Sequence, residues 1–241
     1  RAILGKVDQL ALPALDEVFL LLDAEESPLN PRWFNYGSLP LYMLKGVQLA
    51  SFAWNGDELR DLRVPGRTIS ALADVGTIIV VYLLGASLYG RREGLLASAL
   101  VALAVIHIQL SHFFAVDTLL VFFTMTTLYF LYRVAREGRP RDSLLAGAFI
   151  GLGMGTKVSI APIYVAFLMA HLLFLLSATD TRTVLAAHVG SRWRTALAGL
   201  ALGASASVVV FTAVQPYMFL DWARFFGDVT EQSEAIVRRI R

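Results

Sequence analysis

The chain has 241 residues, of which 56% are hydrophobic and only 17% are charged, a balance too apolar for an ordinary water-soluble domain. Its net charge of +2 gives no sign of a nucleic-acid partner, and the absence of cysteine excludes disulfide bonds and thiolate metal sites. We therefore predict an integral membrane protein of the all-α class that lies in the lipid bilayer.

The first 67 residues are polar, contain proline and differ from the rest of the chain. The run NPRWFNYGSLPLYMLKG continues into an apolar segment that ends near Trp54. We predict an extracytoplasmic loop whose apolar segment lies along the membrane as an interfacial helix, with Lys45 extended toward water. A seventh span is the alternative, but it would reverse the orientation that the arginine residues indicate. The aromatic side chains expected at the depth of the lipid headgroups are Trp33, Phe34, Tyr36, Tyr42 and Trp54.

The apolar segments after residue 67 are the candidates for membrane-spanning helices. A helix needs roughly 20 mainly apolar residues to cross the ~30 Å hydrocarbon layer. We predict a six-span bundle over residues 68–214, followed from residue 215 by the start of another extracytoplasmic loop. The predicted spans are 68–89, 95–114, 118–134, 143–156, 159–176 and 195–214.

Arginine gathers in three of the connections between these predicted spans. The positive-inside rule makes those connections cytoplasmic. By alternation, the first 67 residues, the turns at Asp117 and Lys157, and the tail from Gln215 all lie on the other face. Every candidate site therefore opens on one side of the membrane. The arginines concerned are Arg91, Arg92, Arg133, Arg136, Arg139, Arg141, Arg182, Arg192 and Arg194.

Small residues recur every four positions in the fourth predicted span, at Gly147, Gly151 and Gly155. This spacing leaves one helix face without side chains, which favours close packing against a neighbouring helix. The run GLGMG lacks the preceding strand and the lysine-serine ending of a phosphate-binding P-loop.

Lys157 follows a helix that is too short to cross the membrane. From residue 143 to Lys157 a helix rises about 21 Å, less than the ~30 Å of hydrocarbon. Lys157 should therefore lie below the outer surface, where an unpaired ammonium group is costly. We expect an anionic group beside it.

A lone carboxylate, Asp117, stands between two apolar runs in IQLSHFFAVDTLLVFF. An ionisable group near lipid is expensive, so a functional role is the default interpretation. His112 and Asp117 could contribute to a divalent-metal site, but no third ligand follows at a recognisable spacing, and no metal is assigned. Polar side chains that satisfy one another at a helix end are the alternative. For Asp74 we expect a hydrogen bond between helices.

Five segments, taken together and in order, resemble glycosyltransferases of the GT-C fold. The group concerned is family 39, which includes protein O-mannosyltransferases and the aminoarabinose transferase acting on lipid A. The resemblance implies a polytopic membrane bundle in the cell membrane that moves a hexose or pentose from a polyprenyl-phosphate carrier to a hydroxyl or phosphate acceptor. Transfer takes place on the extracytoplasmic face in such enzymes. The segments are NPRWFNYGSLPLY, VPGRTISALADVGTIIVVYLLGASLYGRREG, IQLSHFFAVDTLLVFF, LLAGAFIGLGMGTKVSIAP and QPYMFLDWARFFGDVTEQS.

Members of this family carry an acidic residue, usually in an Asp-Glu pair, early in the first outer loop, and it is taken as the catalytic base. Asp16 and Glu17 form such a pair. However, RAILGKVDQL resembles the helix that commonly follows the pair, which would place the true pair before Arg1. The chain begins with arginine and stops in a charged segment, so we expect a piece of a longer protein that is inactive by itself.

The remaining site residues follow from the same resemblance. Asp117 resembles the second outer-loop aspartate of the family, which would orient the acceptor or a cation. By hypothesis, Lys157 stabilises the charge that develops on the leaving phosphate, with Arg67 as a second cation. His112 and Tyr36 are further candidate substrate-binding residues.

Two other function classes stay open. Intramembrane aspartate, histidine and lysine also mark the ion paths of transporters, but these groups collect at one face and no inverted repeat is visible. A non-catalytic assembly subunit would explain the packing glycines but not a submerged lysine. The residues do not indicate which sugar, acceptor or oligomeric state applies.

Overall fold

The structure, a computed structural model, describes residues 23, 25, 27, 29–34, 36–56, 59–177 and 186–240. Within these residues the regular structure is helical and no β-strand occurs, which confirms the predicted all-α class. The helices are α1 (Leu39–Asn55), α2 (Arg63–Leu88), α3 (Arg91–Ala102), α4 (Val105–Ser111), α5 (Val116–Glu137), α6 (Pro140–Met154), α7 (Ile163–Leu176), α8 (Ala186–Val214), α9 (Tyr217–Leu220) and α10 (Trp222–Ile240).

The sequence predicts six membrane spans, but fewer helices in the described part of the chain are long and apolar enough to cross a membrane. Four segments qualify, and a fifth does if the bent pair α3 and α4 is one broken span. The difference is α6, which has 15 residues and rises only about 22 Å. The qualifying segments are Arg63–Leu88, Val116–Glu137, Val158–Leu176 and Ser191–Val214.

The predicted second span, residues 95–114, is broken in the structure. Helices α3 and α4 meet at an angle of 58°. The break lies at Ala104, whose backbone is extended with a ψ of 122°, and neither glycine nor proline stands there. The end of this span therefore takes a different direction from its beginning.

The chain divides into two compact units, Arg1–Gly66 with Thr212–Arg241, and Arg67–Phe211. In the first unit, the segment before α1 is held by side chains from the C-terminal part of the chain. The Phe34 amide donates to Asp228 Oδ2 at 2.7 Å, and Asn30 Nδ2 donates to Asp221 Oδ2 at 3.1 Å. These contacts join residues about 190 positions apart.

Side chains of the first unit only partly follow the expected interfacial arrangement. The prediction for Phe34 is wrong, because its ring is buried and packs edge-to-face against Phe225 at 5.6 Å. Trp54 is almost fully exposed, as an interfacial anchor requires. Lys45 Nζ donates to Gln48 Oε1 at 2.9 Å. Burial, and next the neighbouring Tyr217, raise the pKa of the Tyr42 phenol, which stays protonated and donates to the Leu29 carbonyl.

The second unit has its core where α5 packs against α6 and α7. Small and branched apolar side chains meet there, and α8 contributes Leu200 from the edge. This core fixes the hairpin of α6 and α7 against α5, so the turn of the hairpin lies at a defined place. Its buried members are Leu131, Val134, Ala146, Ile150, Ile160, Ile163, Phe167 and Ala170.

The glycine face of α6 packs as the sequence predicts. A Cβ on Gly147 would collide with the carbonyl of Gly203 on α8, and one on Gly151 would lie 2.6 Å from the carbonyl of Ser207. The backbones of α6 and α8 thus approach at contact distance, which only residues without a side chain allow. The predicted role of Gly147 and Gly151 in helix packing is confirmed.

Candidate functional site

Asp117 and Lys157 form an ion pair within the second unit. Lys157 Nζ lies 3.2 Å from Asp117 Oδ1, and the two side chains are 28% and 53% exposed. The expectation of an anionic group beside Lys157 is confirmed. Exposed pairs of this kind stabilise a fold by only about 0–1 kcal/mol, so the pair is not needed to hold the bundle together.

Asp117 occupies the first turn of α5, where the positive end of the helix dipole favours a carboxylate. The N-cap residue of the helix, Ala115, has an extended backbone and makes no side-chain hydrogen bond that would cap the first amides of α5. Thr118 instead turns its hydroxyl back to the Ala115 carbonyl at 2.7 Å. The start of α5 therefore presents N–H groups beside the ion pair, which is a local environment suited to anions.

Lys157 is placed by the end of α6. The Gly155 and Lys157 amides donate to the carbonyls of Gly151 and Gly153, each at 2.9 Å, which closes the last turn of the helix. A short 3-10 turn, Val158–Ile160, follows, and α7 starts immediately after Pro162. The lysine thus stands in the tight turn of the hairpin of α6 and α7, which the core packs against α5.

Helix α2 supports the segment that carries Asp117. The Ala115 amide donates to the hydroxyl of Ser70, a fully buried side chain, at 3.1 Å. One turn further along α2, Asp74 Oδ1 accepts from His107 Nδ1 of α4 at 2.5 Å. The hydrogen bond expected between helices for Asp74 is confirmed.

Arg67 lies one turn before Ser70, and residues three apart share a helix face. Its side chain is exposed and makes no hydrogen bond or ion pair with a residue that the structure describes. Arg67 therefore lies one helical turn from Ser70, the residue that joins α2 to the segment carrying Asp117.

His112 follows α4 and is exposed, and its Nδ1 donates to the Ile108 carbonyl at 2.6 Å. In the part of the chain that the structure describes, no group of three or more histidine, aspartate or glutamate side chains is arranged to hold a metal ion. Among the described residues, His112 and Asp117 therefore have no third side chain with which they could bind a metal ion.

Tyr36 belongs to the first unit, where its half-buried ring meets Trp33 edge-to-face at 5.6 Å. Asp16 and Glu17 lie outside the described residues. The proposed roles of these three residues stay predictions.

A second polar region lies at the opposite end of α5. Sequence reasoning counted its arginines only as charges of a cytoplasmic connection and did not predict an ion pair there. Arg133 Nη2 lies 3.3 Å from Asp142 Oδ1, and the carboxylate is only 2% exposed. The sequence feature that could have predicted this pair is Asp142, a carboxylate in the first turn of α6 within an arginine-rich connection. A carboxylate in such a position is expected to pair with one of the arginines.

Comparison with known proteins gives two findings. Residues 58–211 match the family model described as dolichyl-phosphate-mannose-protein mannosyltransferase. A protein of Bacillus subtilis (strain 168) described as "Putative mannosyltransferase YkcB" is 34% identical over 104 residues, which is 43% of this chain. The matched part is 14% of the length of that relative, so the match covers only a small part of it. No solved structure matches the chain.

Proposed function

Because the chain belongs to the dolichyl-phosphate-mannose-protein mannosyltransferase family, we propose that the protein is a membrane glycosyltransferase that uses a polyprenyl-phosphate-linked sugar. The observation that carries the proposal is the Asp117–Lys157 pair, 3.2 Å apart at the start of α5 and inside the matched segment. The acceptor is a hydroxyl or a phosphate group outside the cytoplasm.

The reaction forms a bond between the acceptor oxygen and the anomeric carbon of the sugar. The bond from that carbon to the phosphate oxygen breaks, and its electron pair leaves with the polyprenyl phosphate. A carboxylate takes the acceptor proton. The acidic pair at Asp16 and Glu17, or a pair before Arg1, remains the candidate for this base.

Lys157 suits the leaving-group side of this reaction. Negative charge grows on the phosphate in the transition state, and a cation fixed beside it lowers the barrier. Asp117 holds the ammonium group in position at 3.2 Å and stays half exposed, so it can also orient an acceptor hydroxyl. The exposed Arg67 and the uncapped amides of α5 add further donors for phosphate oxygens.

The position of the arginine residues supports an extracytoplasmic site. Arg133 and Arg136 lie 16 and 19 residues after Asp117 on the same helix, which corresponds to about 24 and 29 Å. Helix α5 as a whole has 22 residues and qualifies as a membrane span by length and hydropathy, so its two ends belong on opposite sides of a membrane, and the positive-inside rule puts the arginine end in the cytoplasm. Asp117 and Lys157 then face the other compartment, where lipid-linked sugars are used.

The test uses the complete protein in membranes that contain its native acceptors, with a polyprenyl phosphate carrying tritiated mannose as the donor. Label that moves out of the lipid fraction measures transfer. We expect Asp117→Asn and Lys157→Met each to reduce transfer about 100-fold or more, the size of effect seen when a charge-stabilising donor is removed. Asp61→Asn is the matched control, since Asp61 and Arg63 form another exposed pair at 2.9 Å.

Two results would count against the proposal in different ways. Normal transfer by both variants would overturn the site assignment and leave the activity standing. A wild-type protein that transfers no sugar from any polyprenyl phosphate, whether hexose or pentose, would overturn the activity itself.

A further inference from the structure

The second unit contains a groove at the arginine end of α5 that plays no part in the proposed reaction. It has a volume of about 580 Å³ and is lined by Ser87, Tyr129, Tyr132, Arg133, Arg136 and Glu137. Ser87 lies one residue before the end of α2, and the other five come from the last three turns of α5. The groove therefore opens where two membrane-spanning helices both end.

Arg136 is one of the two arginines that line this groove, the other being Arg133. Its guanidinium carbon lies 5.9 Å from the centre of the Tyr132 ring, and Nη1 is 3.5 Å from the Tyr132 hydroxyl. Among the described residues no carboxylate lies within ion-pair distance of Arg136. Most of its five N–H donors remain available to an external acceptor.

The two carboxylates near Arg136 are already neutralised. Glu137 pairs with Arg139 at 2.7 Å, and Asp142 pairs with Arg133 at 3.3 Å. The Tyr132 hydroxyl is also oriented, because it donates to the Ser87 carbonyl at 2.7 Å. Its lone pairs remain available to the Arg136 donors, so both the ring and the hydroxyl of Tyr132 contact the guanidinium group.

The surroundings of the groove are strongly basic. Residues 87–93 and 129–142 contain six arginines and three carboxylates, a net charge of +3. Arg91, Arg92 and Arg141 are exposed and make no ion pair with a residue that the structure describes. A phosphate group is the ligand that best matches a planar, multiply donating guanidinium group in a basic field.

Apolar surface continues from the groove along α2 toward the middle of the membrane. Leu83 lies one turn below Ser87, and its side chain is exposed. Leu88 and Tyr89 are exposed beside the opening. A ligand with a phosphate head and hydrocarbon chains would satisfy both surfaces at once, whereas a soluble phosphate would use only the groove.

We propose that this groove binds the phosphate group of an anionic membrane lipid, with Arg136 as the principal contact and the acyl chains lying along α2. The site is distinct from the Asp117–Lys157 pair, which is about 29 Å away along α5. The lipid binds in the leaflet at the arginine end and takes no part in sugar transfer.

Native mass spectrometry of the complete, detergent-purified protein tests the proposal. The probes are 1-palmitoyl-2-oleoyl phosphatidylglycerol, its phosphatidylcholine counterpart and glycerol 3-phosphate. We expect the anionic lipid to be retained by the wild type and the apparent affinity to fall about tenfold or more in Arg136→Gln, because charge-assisted hydrogen bonds are lost. Arg141→Gln is the matched control, since it removes the same charge from the same end without touching the groove.

Three results would overturn the proposal. Equal loss in Arg136→Gln and Arg141→Gln would show a general surface attraction without a site. Equal retention of the anionic and the zwitterionic lipid would remove the role of charge. Binding of glycerol 3-phosphate as tight as that of the lipid, and equally dependent on Arg136, would assign the groove to a soluble phosphate compound. Tyr132→Phe provides a second variant with the ring retained, and a smaller loss of affinity is expected from it.

Discussion

The two ends of α5 carry the same kind of ion pair in different surroundings. At the start of the helix, Asp117 and Lys157 are 53% and 28% exposed at a distance of 3.2 Å. At the other end, Asp142 is 2% exposed and Arg133 is 26% exposed at a distance of 3.3 Å. The distances are nearly equal, so burial and not geometry separates the two pairs.

Burial decides what each pair contributes. A pair whose open side faces water contributes about 0–1 kcal/mol to stability, and the proposed site at Asp117 and Lys157 opens toward the extracytoplasmic side. A buried carboxylate, once its partner is removed, keeps its desolvation cost with nothing to offset it. The Arg133–Asp142 pair is therefore tied to the fold, whereas Asp117 and Lys157 can be changed or engaged by a ligand at little structural cost.

The largest difference should appear in stability when one cation is removed from each end. Arg133→Met leaves Asp142 buried without its partner and should cost roughly 3 kcal/mol, the lower part of the range for broken buried pairs because Arg133 is partly exposed. Lys157→Met should change the free energy of unfolding by less than about 1 kcal/mol. Thermal or denaturant unfolding of the purified protein in detergent measures both. Equal losses of unfolding free energy in the two variants would contradict the proposed difference between the buried and the exposed ion pair.

A double substitution sharpens the same comparison. Asp142→Leu in the Arg133→Met background removes the uncompensated carboxylate, and apolar replacements of buried pairs are often neutral. We expect it to restore roughly 2 kcal/mol of the loss, a coupling that unfolding of the two single variants and the double variant would measure. At the other end, Asp117→Leu in the Lys157→Met background should restore almost nothing. A double variant as unstable as Arg133→Met alone would mean that Arg133 acts through its packing on Tyr129, not through Asp142.

Local pattern in the sequence was sufficient for the features of α5 and α6 that depend on neighbours in the chain. Apolar windows located the helices that qualify as membrane spans because hydropathy is a property of consecutive residues, although they also counted the shorter α6 as a span. The partner of Lys157 could be anticipated because a helix too short to cross the bilayer ends below the outer surface, where an ammonium group needs an anion beside it. The packing of Gly147 and Gly151 followed from their spacing for the same reason.

Features set by distant residues were not visible in that pattern. Phe34 was expected at the membrane surface, but Phe225 buries it from 191 positions away. The bend at Ala104 could not be predicted from the sequence, because no glycine or proline stands there. Just after the bend, His107 forms a hydrogen bond with Asp74, which lies 33 residues earlier in the chain. Counting arginines by connection treated Arg133 and Arg141 alike, although only one of them has a buried carboxylate as a partner.

The smallest of the expected effects concerns how α2 places the Asp117 end. Ser70→Ala removes the acceptor of the Ala115 amide, which lies two residues before Asp117, and leaves that donor without its partner at 3.1 Å. The loss should be about 1–2 kcal/mol in stability, with a several-fold fall in sugar transfer because the start of α5 is held less firmly. Ser70→Thr keeps a hydroxyl at the position and should retain more transfer than Ser70→Ala. Thr124→Ala is a control on α5 itself, since its hydroxyl donates to the Leu120 carbonyl of its own helix. Transfer that falls as much in Thr124→Ala as in Ser70→Ala would mean that general loosening of α5, not the placement of Asp117, limits the reaction.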